Sequence, residues 1–205
     1  MPTMRLDFAW SDDGVYHQYC LRCHAEAVQR TYDDEGRTFY QCAACGQTAE
    51  RSIVLDPAIT WWVAPDGEYW HESSGVFLRN PSGQFLFYER TIFPFALTVP
   101  SGHVDTGEQP AASAAREVKE EVGIALTGLT LIGTDDVLGD SCRRGADAHR
   151  WHAFLAPVVD LTVEVAEEGR RPLWLTLDEA AARDLTVPVR HAISLYRHQL
   201  QQTAR

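Results

Sequence analysis

Between Gly102 and Ile124 the chain reads GHVDTGEQPAASAAREVKEEVGI, and carboxylates recur there at spacings that can hold a hard cation. A helix beginning near Pro110 places Glu117, Glu120 and Glu121 at i, i+3 and i+4, so the three acids share one face. Like charges at those spacings destabilise an isolated helix by roughly 0.2–0.5 kcal/mol per pair. Such a cost calls for a compensating cation. Mg2+ fits, because it takes oxygen ligands and keeps phosphate and water in its shell. Ala111, Ala115, Val118 and Val122 recur at helical spacing on the opposite side and are expected to form the buried stripe. Arg116 lies one turn before Glu120 and can hold the carboxylates through charge-assisted hydrogen bonds.

A second set of chemical groups lies nearer the N-terminus. Cys20 and Cys23 form one C-x2-C pair, Cys42 and Cys45 another, and eighteen residues separate them. That spacing falls within the zinc-ribbon pattern, in which each pair gives a tetrahedral Zn2+ two thiolates. Four cysteines close the site, so the zinc is expected to be structural, and His24 is not needed as a ligand. A module this short buries little apolar surface, and the metal would supply most of its stability, about 10–16 kcal/mol in zinc-finger peptides. Cys142 stands apart in a polar stretch with no partner assignable from the sequence, and reads as an incidental thiol.

Composition narrows the setting. The chain has 205 residues, 45% of them apolar and 23% charged, which suits one medium domain plus a small module. The formal net charge of −11 argues against a general binder of nucleic-acid backbone. No apolar run reaches membrane-spanning length. The segment MPTMRLDFAWSDDG lacks the apolar core of a signal peptide, and a cytoplasmic location is expected.

Several elements must position these groups. Ala27 to Tyr32 and Arg37 to Gln41 read as a hairpin about Asp33–Gly36. The module is expected to span residues 1–51, with a second domain over 52–205. Val76–Arg79 and Gln84–Arg90 read as a hairpin about Asn80–Gly83. Pro110 suits the first helical turn, where its missing N–H costs nothing. Leu129–Val137, Arg150–Val158 and Leu173–Leu177 read as strands. Asp178–Arg183 and Val187–Gln201 read as helices.

The stretch from Gly102 to Ile124 resembles the Nudix box at every defining position: Gly102, Glu108, Arg116-Glu117-Val118, Glu120-Glu121 and Gly123-Ile124. The resemblance implies an α/β fold, a Nudix α/β/α sandwich with a mixed sheet, here preceded by a small zinc-ribbon module. It implies hydrolysis of a pyrophosphate bond in a nucleoside diphosphate linked to another moiety, with Mg2+ or Mn2+ as cofactor beside the structural Zn2+. Glu117 and Glu121 would be the primary metal ligands, Glu120 a further one, and the Gly102 carbonyl part of the shell. Glu117 would also orient or deprotonate the attacking water, and Glu108 would brace the loop. Some Nudix enzymes use another carboxylate before a late strand, and Glu168 is the candidate here. Arg143, Arg144, Arg170 and Arg171 are candidates for gripping phosphate or ribose. Trp61, Trp62, Tyr69 and Trp70 could stack a base or fill the core.

A zinc ribbon ahead of a Nudix domain resembles the NADH pyrophosphatase and NAD-decapping branch. That branch carries an SQPWPFP-type stretch after the box. The corresponding region here, Gly133 to Cys142, contains neither proline nor tryptophan. The substrate is therefore left unassigned, with NADH as the alternative. A nucleotide-sensing or interaction module is the non-catalytic alternative, although sensors usually lose box carboxylates that are intact here. The expected partner is a nucleotide-diphosphate small molecule. Homodimers are common in the family, and the module or the Ala58–Trp70 segment could supply the interface.

Overall fold

A computed structural model describes residues 3–159 and 162–202. In chain order the first strands are β1 (His17–Tyr19), β2 (Val28–Tyr32), β3 (Thr38–Cys42), β4 (Thr48–Ala49), β5 (Ile53–Leu55) and β6 (Trp61–Val63). The long β7 (Tyr69–Arg79) and β8 (Phe85–Arg90) follow, then β9 (Leu97–Thr98), β10 (Ser101–His103) and helix α1 (Pro110–Val122). The chain continues through β11 (Thr130–Leu138), β12 (Ala148–Pro157), β13 (Gly169–Leu175), α2 (Leu177–Ala181) and α3 (Val187–Gln201).

One mixed sheet dominates, ordered β11-β12-β7-β8-β13, with β6 and β10 added to β7 and β9 to β8. The β12–β7 pairing is parallel and the others in this sheet are antiparallel. Strand alternation sorts the core into two layers. Phe77, Phe85, Phe87, Trp151 and Ala153 pack with Val189, Ala192 and Ile193 of α3. Val76, Leu78, Leu86, Tyr88, Phe154 and Ala156 pack with Ala114, Val118 and Val122 of α1. Helices therefore cover both faces, giving an α/β/α sandwich. Among the described residues no helix is long and apolar enough to cross a membrane.

The N-terminal part forms a three-stranded sheet, β2-β3-β4, with the hairpin turn at Asp33–Gly36. Asp33 caps that turn by accepting from the N–H groups of Glu35 and Arg37. Strands β1 and β5 pair with each other, and Tyr19 shares a buried cluster with Ile53, Leu55, Tyr69 and Ala146. The cysteine-bearing segment thus meets the main sheet through the apolar contact at Tyr69, and Thr38 donates its N–H to the Thr91 carbonyl just past β8.

The buried stripe of α1 differs from the sequence expectation. Ser113, Ala114, Val118 and Val122 are buried, whereas Ala111 is exposed and Ala115 half-buried. At about 100° per residue, Glu121 falls about 60° from Val118 and Glu120 about 160° away. The acid pair Glu117 and Glu121 therefore flanks the apolar stripe instead of opposing it. Ser113 continues this acid stripe and meets Ser74 of β7 at 3.1 Å.

Leu86 is fully buried beneath α1. Leu86→Ala is expected to cost about 2–5 kcal/mol of stability, measured by urea unfolding. A loss below about 1 kcal/mol would contradict this packing of sheet on helix.

Candidate active site

The acid stripe of α1 faces the β10 backbone, and Gly102 permits the approach. A Cβ built on Gly102 would lie 2.1 Å from the Glu117 carboxylate carbon, closer than real contacts allow. Register fixes the position, because Gly102 pairs with Ser74 of β7 and His103 with Ser73. The helix starts at Pro110 without a side-chain cap at Gln109. It ends at Gly123, whose left-handed backbone returns its N–H to the Lys119 carbonyl.

Arg116 is the hub of the charges. Its Nη1 donates to Glu117 at 2.7 Å and to Glu120 at 3.3 Å. Its Nε and Nη2 donate to the two oxygens of Glu108 at 3.2 and 2.9 Å, a bidentate grip. Nη2 also reaches the His103 carbonyl at 3.3 Å. Glu108 thereby ties the loop to the helix. Glu121 lies deeper, and its Oε2 accepts from the Tyr88 hydroxyl and the Ser101 N–H, both at 2.8 Å. Burial and the neighbouring Glu117 charge push the Glu121 carboxyl up to about 8, despite those two donors. Burial also raises Glu117, against the pull of Arg116. The Glu120 side chain is 59% exposed against 13% for Glu117, so the three acids do not face one point. Glu117 and Glu121 form the inward pair.

A cleft of about 230 Å³ opens beside this pair, lined by Gly102, Arg116, Glu117, Glu121, Arg143 and Glu168 among others. Glu168 immediately precedes β13, and its carboxylate pairs with Arg143 at 3.1 Å. Arg144 lines the same cleft and pairs with Asp56. Arg170 and Arg171 are elsewhere, paired with Glu89. Trp61 packs edge-on against Tyr69, and Trp62 stacks on Trp70 at 5.6 Å. None of these four rings lines the cleft.

Glu117, Glu121 and the Gly102 backbone offer oxygen donors where α1 meets β10, and of the two half-buried carboxylates Glu117 bonds a guanidinium while Glu121 accepts from Tyr88 and Ser101. That charge imbalance and donor hardness fit Mg2+ or Mn2+. The cysteine quartet fits a different ion. Its four sulfurs lie within 4.8 Å of one another, with Cys20–Cys45 and Cys23–Cys42 both at 3.7 Å. A disulfide needs about 2.05 Å, whereas tetrahedral Zn2+ at about 2.3 Å from each sulfur spaces the sulfurs about 3.8 Å apart. Arg22 donates its N–H to the Cys20 sulfur, as expected of a metal knuckle. His24 stacks on Phe8 and stays out of the cluster.

Two features were not legible beforehand. Arg90, at the end of β8, lines the cleft with its Nε buried and without a hydrogen-bond partner. Cys142 is not isolated, since its Sγ lies in a second close group with His71, His103 and His149. Those four residues are spread from position 71 to 149, so no short spacing marks them; only register, which sets His149 beside His71, brings them together.

The NUDIX domain family model matches residues 70–196. The asymmetrical bis(5'-nucleosyl)-tetraphosphatase of Mus musculus is 35% identical over 106 residues, covering 50% of this chain and 71% of that protein. The MutT protein of Methanosarcina mazei Go1 superposes with a TM-score of 0.55 at 21% identity, covering 65% of this chain and 96% of that one. The NUDIX domain of Shewanella oneidensis NrtR, complexed with ADP ribose, gives 0.56 at 14% identity, covering 67% and 93%. At such identities the two structures establish the fold alone.

Adding a methyl group at Gly102 must displace the Glu117 carboxylate. Gly102→Ala is expected to weaken Mn2+ binding by roughly 10–100-fold, the usual scale for disturbed ligand support, read by paramagnetic titration. Unchanged affinity would remove Glu117 from the cation site.

Proposed function

This chain belongs to the NUDIX domain family and is a hydrolase acting on phosphoanhydride bonds, and from that premise we propose that it uses Mg2+ or Mn2+ to cleave a pyrophosphate bond in a nucleoside diphosphate linked to another group. The observation that carries this reading is the inward pair Glu117 and Glu121, held against the Gly102 backbone on the wall of the cleft.

When bound, the divalent ion neutralises the diphosphate and acidifies a water molecule. Glu117, Glu121 and the Gly102 carbonyl would hold it, with Glu120 reaching in from the rim. Tyr88 and Ser101 both donate to Oε2 of Glu121, which fixes the carboxylate plane and leaves Oε1 for the ion. Arg116 fixes Glu117 in the same way. Arg143 and Arg90 grip phosphoryl oxygens, which a chain of net charge −11 needs in order to attract an anion. Glu168, released from Arg143 as phosphate arrives, serves as a further carboxylate for the ion or the water. Attack on phosphorus then depends mainly on positioning and charge stabilisation.

Dinucleoside polyphosphates head the substrate panel, because a mammalian relative carries that activity in its name. NADH is the second reading, favoured by the four-cysteine cluster ahead of the hydrolase domain. The same proposal divides the chain into a structural zinc module over 1–51 and a hydrolase domain over 52–205.

Hydrolysis of this panel, with ADP-ribose and nucleoside triphosphates included, tests the class. Glu121→Gln is expected to lower turnover by ~10²-fold or more on whichever substrate is cleaved, with the fold retained by circular dichroism. Equal turnover in both proteins would end the assignment. For the module, withdrawal of zinc by a chelator is expected to abolish amide-exchange protection in β2 and β3 before that in β7 and β8. Protection lost everywhere together, or nowhere, would count against a separately stabilised module.

A further inference from the structure

Along the wall of the same cleft, imidazoles and one thiol converge without any carboxylate of the box. His71 on β7 and His149 on β12 are register partners in adjacent parallel strands. Both are buried. His103 comes from β10, and Cys142 from the turn between β11 and β12. One ligand atom from each lies within 4.8 Å of every other. His71 Nδ1 is 3.0 Å from His103 Nε2 and 3.6 Å from Cys142 Sγ. A tetrahedral Zn2+ with Zn–N near 2.0–2.1 Å and Zn–S near 2.3 Å sets neighbouring ligands about 3.3–3.6 Å apart. The observed spacing therefore brackets that of a filled site. It is too wide for covalent contact and too crowded for four lone-pair donors that lack a shared cation or proton. Asp140 Oδ2 stands 3.0 Å from His149 Nδ1, an ion-pair distance without hydrogen-bond geometry, so a carboxylate neighbours this ring.

We propose that His71, His103, Cys142 and His149 form a second, buried transition-metal site, a His3Cys centre suited to Zn2+, distinct from both the cysteine quartet and the box carboxylates. Four protein ligands close it, so its role is to fasten. His103 follows Gly102 directly, and its carbonyl accepts from Arg116. Cys142 directly precedes Arg143, which pairs with Glu168 across the cleft. One ion thus pins the glycine strand and the arginine loop to the β7–β12 core along one wall of the cleft.

Zinc X-ray absorption on the intact wild-type protein tests this without any variant. The expected shell is a mixture of sulfur and nitrogen, because one centre is all thiolate and the other mostly imidazole. A sulfur-only shell, or no bound metal, would overturn the proposal. Cys142→Ala is expected to lose one zinc equivalent per chain and the nitrogen part of the shell, while Cys23→Ser keeps that nitrogen part. Unchanged metal content in Cys142→Ala would equally overturn it. If the quartet itself holds no zinc, the nitrogen-rich shell and its loss in Cys142→Ala still decide the question.

Discussion

Two negative charges held side by side at the edge of a hydrophobic layer are the constraint on which the rest depends. Glu117 and Glu121 flank the stripe that packs α1 onto the sheet, so they cannot retreat into water as Glu120 does. Burial disfavours the charged form of each, and their mutual repulsion adds to it. Arg116 answers for Glu117 but is shared with Glu108 and Glu120. Glu121 accepts hydrogen bonds from the neutral donors Tyr88 and Ser101, and the Arg90 charge only partly offsets its burial. An ion that takes oxygen ligands resolves this imbalance, and a pyrophosphate brings its own charge to the same ion.

The surrounding architecture follows from keeping that pair in place. Gly102 lets backbone approach carboxylate where any side chain would collide. The long β7 ties the parts together, because it pairs with β12 on one side and with β6 and β10 on the other. Its alternation sends Ser74 toward Ser113 of α1 and Phe77 toward the α3 layer. The cleft thus sits where the helix, the glycine strand and the loop after β11 meet. Arginine and glutamate from distant segments, Arg143 and Glu168, come together at its mouth.

Much of this was legible in the sequence because it is local. The helix from Pro110, the cysteine hairpin and the β7–β8 turn are each set by a few neighbouring residues. Glu168 was a candidate only through the family resemblance, and it lines the cleft. What escaped was non-local or a matter of angle. The rotation of α1, which buries Ala114 in place of Ala111 and turns Glu120 outward, depends on which strand the helix meets. Cys142 reads as a lone thiol until the β7–β12 register sets His71 beside His149. Trp61 and Tyr69 could stack a base on sequence grounds, with packing the favoured role, and Tyr69 is buried with Trp61 against it in the cluster that holds Tyr19 and Ile53. The residues that choose a substrate lie on loops whose partners are set by tertiary contact, so composition and spacing carry little of that information.

Anomalous diffraction from crystals soaked with Mn2+ puts the central claim to the most direct test. The account predicts a manganese peak between the Glu117 carboxylate, Oε1 of Glu121 and the Gly102 carbonyl. Signal confined to the thiol and imidazole clusters, with none beside the α1 acids, would contradict it.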